Sequence, residues 1–229
     1  MAALIDPEPK LITFDCYGTL IDWGSGINAY LRGVLARKGA AVDLEAFYPR
    51  WYERQLQEIS GPFKLYRDVL GDSLRNALRD FELPVEPGDG EDFGDAMEGW
   101  EPFPESVEIL ARLGENYSLA VVSNSQHDII SHAVEKLGNP FEYVVTAEDV
   151  GAYKPDARPF ERTLELAGAM PEETVHVARS QDVDLPRSVP MGIRTIWINR
   201  SGEPLQAGVP EPDHELPDLR QLPGLLGFD

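Results

Sequence analysis

The chain has 229 residues, long enough for one large domain or a domain carrying an insertion. Asp and Glu number 40 against 20 Lys and Arg, and the resulting charge of −20 repels phosphate backbones, which argues against nucleic acid as a partner. Hydrophobic residues at 42% and charged residues at 26% describe a globular protein, with no apolar run of membrane-spanning length, no signal-peptide core in MAALIDPEPK, and one cysteine, Cys16, so a cytoplasmic protein without disulfides or membrane contact is expected.

Residues 11–15 (LITFD) form a short apolar run closed by an acid, with Gly18 and Thr19 directly after. Such a run predicts a buried parallel strand. Its carboxyl end would place Asp15 in the crevice where open α/β sheets bind ligands. From residue 25 to 81 the pattern turns helical. Segments 27–38, 44–59 and 63–81 carry Tyr30, Leu31, Leu35, Phe47, Trp51, Leu56, Leu65, Leu74 and Leu78 at helical spacing. Residues 83–90 (LPVEPGDG) read as a loop or hinge.

A helix over 106–113 leads to a strand at 119–123, which ends on Ser123 and Asn124. The next helix, 127–137, stops at Gly138. A strand at 143–146 precedes GAYKPD, which holds Lys154. A helix at 159–167 and a strand at 174–178 lead to VARSQDVD, with Ser180 and Asp184, and a last strand spans 195–199. The Pro- and Gly-rich tail from residue 201 is expected to wrap the surface. The alternation predicts an α/β fold with a Rossmann-like, doubly wound parallel-sheet core. The core would comprise residues 1–20 and 96–229, and residues 21–95 would form an inserted helical cap, standing over the crevice as a lid.

Four strand-end groups could meet in that crevice: Asp15 with Thr19, Ser123 with Asn124, Lys154, and the segment from Ser180 to Asp184. A carboxylate becomes a covalent nucleophile when a cation and hydrogen-bond donors hold it. A second acid can then direct water onto the ester. No Cys/His set has zinc-ligand spacing. His176 lies mid-strand and reads as packed, His132 and His214 as structural or exposed, and His127 as a second-tier candidate where a helix opens. Cys16 reads as a small packed residue.

The blocks FDCYGTL at 14–20, SN at 123–124, YKPD at 153–156 and SQDVD at 180–184, followed by WINR at 197–200, resemble the haloacid dehalogenase superfamily in order and spacing. The resemblance covers essentially the whole chain and is nearest the type II 2-haloacid dehalogenase-like branch. It implies Asp15 as nucleophile, with Thr19 and the backbone amides of Cys16 and Tyr17 positioning it or binding the negative end of the substrate. Ser123 and Asn124 would hold the substrate carboxylate or the leaving group, Lys154 would neutralise the aspartates, and Asp184 would position Lys154 and the hydrolytic water. Phosphatases of the superfamily have a second Asp where Tyr17 stands and a metal-binding acid where Ser180 stands. Their absence argues against phosphoryl transfer and for a reaction with no metal and no other cofactor, Ser180 joining the substrate-binding set.

The resemblance therefore implies a hydrolase acting on a small 2-substituted carboxylic acid, first an (S)-2-haloacid. FDCYGTLIDWGSGI, LYRDVL, the Trp100–Pro104 segment and AEDVGAYKP are also similar to azetidine-2-carboxylate hydrolase, so opening of a strained ring by C–N cleavage is the close alternative. A Mg²⁺-dependent phosphatase and a non-catalytic binding module rank below it. A homodimer is compatible with the resemblance. In the cap, the dehalogenase pattern Trp-Arg-x-x-Gln-Leu meets Trp51-Tyr52-Glu53-Arg54-Gln55-Leu56 here, so Tyr52 takes the place of the halide-binding arginine. Arg54, two residues along a helix, would point some 200° away at about 100° per residue. Phe160, Arg179 and Gln181 also replace a Tyr, a Ser and an Asn of that branch. Trp51, Phe63, Tyr66 and Trp100 read as cap or hinge packing, and Trp23 as a residue lining the pocket.

Overall fold

The computed structural model describes residues 5–227. Six strands form one parallel sheet: β1 (Leu11–Phe14), β2 (Ser118–Ser123), β3 (Tyr143–Thr146), β4 (Thr174–Ala178), β5 (Arg194–Ile198) and β6 (His214–Leu216), in the order β3-β2-β1-β4-β5-β6. The order reverses between β1 and β4, which pair through Leu11↔Thr174 to Phe14↔Val177. Asp15 leaves the sheet at that reversal, where ligand crevices form in open α/β sheets. Its own N–H still donates to Val177 O at 3.0 Å, so the Asp15 backbone is fixed by the neighbouring strand.

The expected α/β core is present, with differences at its edges. β1 ends at Phe14, one residue short of the reading, because Asp15 turns into the loop that follows. β5 begins and ends one residue early, and Asn199 bonds instead to the new strand, its N–H donating to Leu216 O at 2.8 Å. The tail does more than wrap the surface. It adds β6 and a short helix, and it buries Leu216, Leu219, Leu222, Leu225 and Leu226 in the main core. A three-residue strand among prolines and glycines is too short to show a period-2 pattern.

Between β1 and β2 lie four helices: α1 (Trp23–Arg37), α2 (Leu44–Ile59), α3 (Tyr66–Asp80) and α4 (Phe93–Glu98). α1 starts four residues before the expected helix. Asp22 caps it, its Oδ1 accepting the Ser25 N–H at 3.0 Å, and Gly24 and Gly26 hide this first turn from a periodicity search. A Cβ at Gly26 would lie 2.4 Å from the Trp100 indole, so glycine is required for that close approach. α2 and α3 pack face to face over Phe47, Trp51, Leu70, Leu74 and Leu78, all fully buried.

The chain leaves and re-enters the sheet layer through two paired segments. Asp22 N donates to Glu101 O at 2.9 Å, and Phe103 N donates to Leu20 O at 2.9 Å. α4 ends before this crossing, which lies at Glu101–Phe103, directly after Trp100. α5 (Ser106–Gly114) precedes β2 and α6 (His127–Lys136) follows it; α7 (Ala147–Val150) and α8 (Arg158–Ala167) follow β3, and α9 (Leu185–Ser188) follows β4.

Candidate active site

Three charged groups meet beneath the crevice. The Lys154 ammonium donates to Asp15 Oδ1 at 3.0 Å, Asp184 Oδ1 at 2.7 Å and Val122 O at 2.8 Å. An ammonium has three N–H groups, so all of them are engaged. Lys154 and Asp184 are fully buried and Asp15 is 8% exposed, so only Asp15 opens outward. Asn124 fixes the lysine backbone from both sides, its Oδ1 accepting Lys154 N–H at 2.6 Å and its Nδ2 donating to Lys154 O at 3.0 Å.

Thr19 fixes the other carboxylate oxygen. Its hydroxyl donates to Asp15 Oδ2 at 2.7 Å and accepts the Arg179 backbone N–H at 3.0 Å. The turn that brings Thr19 back over Asp15 runs through Gly18 at φ +93°, a left-handed conformation that disfavours side chains. Arg200 secures this loop, donating to Thr19 O at 2.8 Å while pairing with Glu105 at 2.7 Å.

His176 does more than pack mid-strand. Its Nε2 lies 3.0 Å from Asp184 Oδ1, and its Nδ1 lies 2.8 Å from the Thr13 hydroxyl, all three residues being buried. Since a carboxylate only accepts, Nε2 carries the proton toward Asp184. The other carboxylate oxygen, Asp184 Oδ2, is buried without a hydrogen-bond partner among the described residues.

Burial pushes the Asp15 carboxyl up from its ordinary value, and the charge of Asp184 adds to this, while Lys154 and the Thr19 hydroxyl pull it down. Burial also acts to raise Asp184, but Lys154 and His176 hold that carboxyl below the usual range. For Lys154, burial works against the charged form and the two carboxylates overcome it, so its pKa rises. A nucleophilic role for Asp15 would require its ionised form. The kcat/KM profile is therefore expected to fall as pH drops through a pKa above 3.8, the ordinary aspartate value. A pH-rate series with an acid limb at or below 3.8 would contradict this electrostatic account.

Above Asp15 lies a cavity of about 80 Å³, room for a ligand of only several heavy atoms. The core supplies Asp15, Tyr17, Ser123, Asn124, Arg179, Ser180 and Val183, and the inserted helices supply Trp23, Tyr52, Gln55, Leu56, Ile59 and Tyr66. Of the residues read from the sequence, Asp15, Tyr17, Ser123, Asn124 and Ser180 line this space. Thr19, Lys154 and Asp184 support Asp15 from behind. The Cys16 side chain does not line the cavity: it is fully buried, burial raises its thiol pKa well above the ordinary value, and the Cys16 carbonyl accepts the N–H groups of Thr19, Leu20 and Ile21. Ser180 faces the cavity with its oxygen accepting the N–H groups of Asp182 and Val183 at 3.2 and 3.3 Å, which leaves its proton available to a ligand. His127 stays outside, paired with Asp149 at 2.8 Å.

Sequence reading gives His176, Gln55 and Tyr66 no place at the site, whereas the structure sets His176 against Asp184 and Gln55 and Tyr66 on the cavity wall. In sequence Tyr66 reads as cap or hinge packing. Tyr52 does reach the cavity, but its hydroxyl donates to Asp182 Oδ2 at 2.8 Å across the cap–core junction. Arg54 points away, as its helical position implied, and pairs with Asp80 at 2.6 Å.

A family model described as haloacid dehalogenase-like hydrolase matches residues 9–178. (S)-2-haloacid dehalogenase 4A of Burkholderia cepacia is 28% identical over 95% of this chain and 94% of its own length. A phosphoglycolate phosphatase of Aquifex aeolicus is 29% identical over a smaller share, 81% of this chain and 83% of its own. Among solved structures, the L-2-haloacid dehalogenase RSc1362 superposes with a TM-score of 0.83 at 26% identity, covering 96% of this chain and 99% of that one.

Proposed function

The chain belongs to the haloacid dehalogenase-like hydrolases, and from that membership we propose that it hydrolyses a small 2-substituted carboxylic acid, first an (S)-2-haloacid, through a covalent ester on Asp15. The observation that carries this reading is the buried Asp15–Lys154–Asp184 set, of which only Asp15 faces a cavity of several heavy atoms. The 28% identity to an (S)-2-haloacid dehalogenase over nearly the full length supports the choice of substrate.

In the first step Asp15 attacks C2 of the bound acid. A C–O bond forms, the carbon–halogen bond breaks, and the halide leaves with the electron pair. Lys154 and Thr19 hold the carboxylate for in-line attack, which oriented donors of this kind accelerate. Ser123 and the Ser180 hydroxyl offer hydrogen bonds to the substrate carboxylate. In the second step water adds to the Asp15 ester carbonyl and gives its proton to Asp184, whose unpartnered Oδ2 is the free acceptor. The ester C–O bond then breaks, the departing alkoxide oxygen takes back the proton held by Asp184, and the 2-hydroxy acid leaves with the Asp15 carboxyl restored.

The residues around Asp15 suit a reaction without a divalent cation. Mg²⁺ draws its protein ligands from carboxylates. Here a serine, Ser180, faces the cavity, and the Lys154 ammonium stands between the two acids. Among the described residues no group of three or more His, Cys, Asp or Glu could hold a metal ion. A halide leaving group needs neither a metal nor a proton.

The test is to incubate the protein with each enantiomer of 2-chloropropionate, with azetidine-2-carboxylate and with an aryl phosphate, each with and without EDTA. Chloride release from the (S) enantiomer, unchanged by EDTA, is expected. Ring opening of azetidine-2-carboxylate instead would keep the covalent mechanism and change the leaving group. Phosphate release alone, abolished by EDTA, would overturn the proposal.

A further inference from the structure

We propose that the Tyr66–Gln55 pair of the cap is the hydrogen-bond donor to the leaving group, doing with neutral groups what a cation would do elsewhere; this rests on the covalent reading of Asp15. In-line displacement places the leaving atom on the side of C2 opposite the attacking oxygen. Asp15 forms the core wall of the cavity, so the far wall is the one built by α2 and α3, where Gln55 and Tyr66 sit side by side.

Several other polar groups around the cavity are already engaged. All three Lys154 protons are taken by Asp15, Asp184 and Val122. Tyr52 gives its proton to Asp182, Arg54 is paired with Asp80, and the Tyr17 hydroxyl is directed at Ile129 O at 3.3 Å. Tyr66 differs. Gln55 Nε2 donates to Tyr66 Oη at 2.7 Å, so the tyrosine oxygen is an acceptor there and its proton meets no partner among the described residues. Tyr66 and Gln55 are each 6% exposed, and both line the cavity. Turning the amide over would make Tyr66 donate to Gln55 Oε1 and present a Gln55 N–H instead. Either orientation leaves the pair at least one polar hydrogen for a ligand.

Tyr66 acts as a donor and keeps its proton. Burial, with the nearby Asp15 charge, raises its pKa far above neutrality. A halide departing from C2 gains electron density as the bond lengthens, so the Tyr66 hydrogen bond strengthens in the transition state. The same donor suits any small leaving group that accepts a hydrogen bond. It gives most to those that leave least readily.

Tyr66→Phe is tested on (S)-2-chloro- and (S)-2-iodopropionate by halide release, with thermal melts as a folding check. The expected loss in kcat is about 10²-fold for chloride and under about 10-fold for iodide, the scale of one transition-state donor. Gln55→Met, which keeps the Tyr66 hydroxyl and removes its orientation, should lose less with the same bias toward chloride. Equal losses on both substrates, or no loss, would overturn the inference, because a packing role has no preference for leaving group. If wild-type protein releases no halide from either acid, the haloacid substrate reading fails, and if it releases halide equally with Asp15→Asn, the covalent reading itself fails; this inference falls with either.

Discussion

Asp15→Asn is expected to reduce halide release by on the order of 10⁴- to 10⁶-fold, the range seen when an enzyme loses its nucleophile. The change is nearly isosteric. The amide oxygen can still accept from Lys154, while the amide N–H group faces the Thr19 hydroxyl, which can accept in place of donating, so the fold and the cavity should survive. What disappears is an anionic oxygen able to form an ester with C2. A single turnover of wild-type protein in H₂¹⁸O separates the covalent route from direct attack by water. Ester hydrolysis at the Asp15 carbonyl carbon leaves label on Asp15, and the first product carries unlabelled oxygen from the carboxylate. Label appearing in the first product, with Asp15 unlabelled, would sink the nucleophile assignment. So would an Asn variant with more than about a hundredth of wild-type activity, far above what nucleophile loss leaves behind.

The sheet and its chemistry were legible to different depths. Continuous apolar runs marked β1 to β5 because parallel strands are buried on both faces. Asp15 was legible because an acid ending such a run has no packing role there. Lys154, Ser123 and Asp184 stand at comparable strand ends, and their meeting follows from the sheet order. The register between β1 and β4 was not legible, and it sets the contact of His176 with Asp184. Cap residues were harder still. Helical spacing shows which face of α2 and α3 is apolar, but a tyrosine has an apolar ring and a polar tip. Tyr52 and Tyr66 therefore look alike in sequence, yet one gives its proton to Asp182 and the other keeps it for the cavity. Arg54 was the exception, since its direction depends only on rotation along one helix.

The Gln55–Tyr66 contact and the Tyr52–Asp182 bond share a physical consequence. One lies within the cap and shapes the cavity wall. The other crosses from α2 to the loop after β4. The cap is thus tied to the core beside the reacting atoms as well as through the paired segments at Asp22 and Glu101. Closure over a small ligand would order both faces of the cavity together, excluding water from the displacement step while leaving Asp184 behind Asp15 for hydrolysis.

Lys154→Met is expected to lower kcat/KM by about 10³-fold or more at neutral pH and to cost about 3–5 kcal/mol of stability, as breaking a buried ion pair does. Methionine fills much of the lysine volume, so the loss is chiefly of charge and of three hydrogen bonds. Asp15 and Asp184 then face each other, buried, without the cation that lowered both. Like charges so placed cannot both stay ionised, and one takes up a proton. The folded-state pKa of the pair rises above the ordinary 3.8 of an unfolded aspartate. For an acid shifted upward, stability is greatest below the unfolded pKa and is lost as pH rises through the folded one. The melting temperature of the variant, measured against wild type, should therefore fall steadily from about pH 4 towards neutrality. Its residual activity should move the opposite way, with an acid limb at higher pH than in wild type, because a protonated Asp15 cannot attack. A stability deficit independent of pH, or an acid limb that stays in place, would mean that Lys154 does not set the charge state of Asp15.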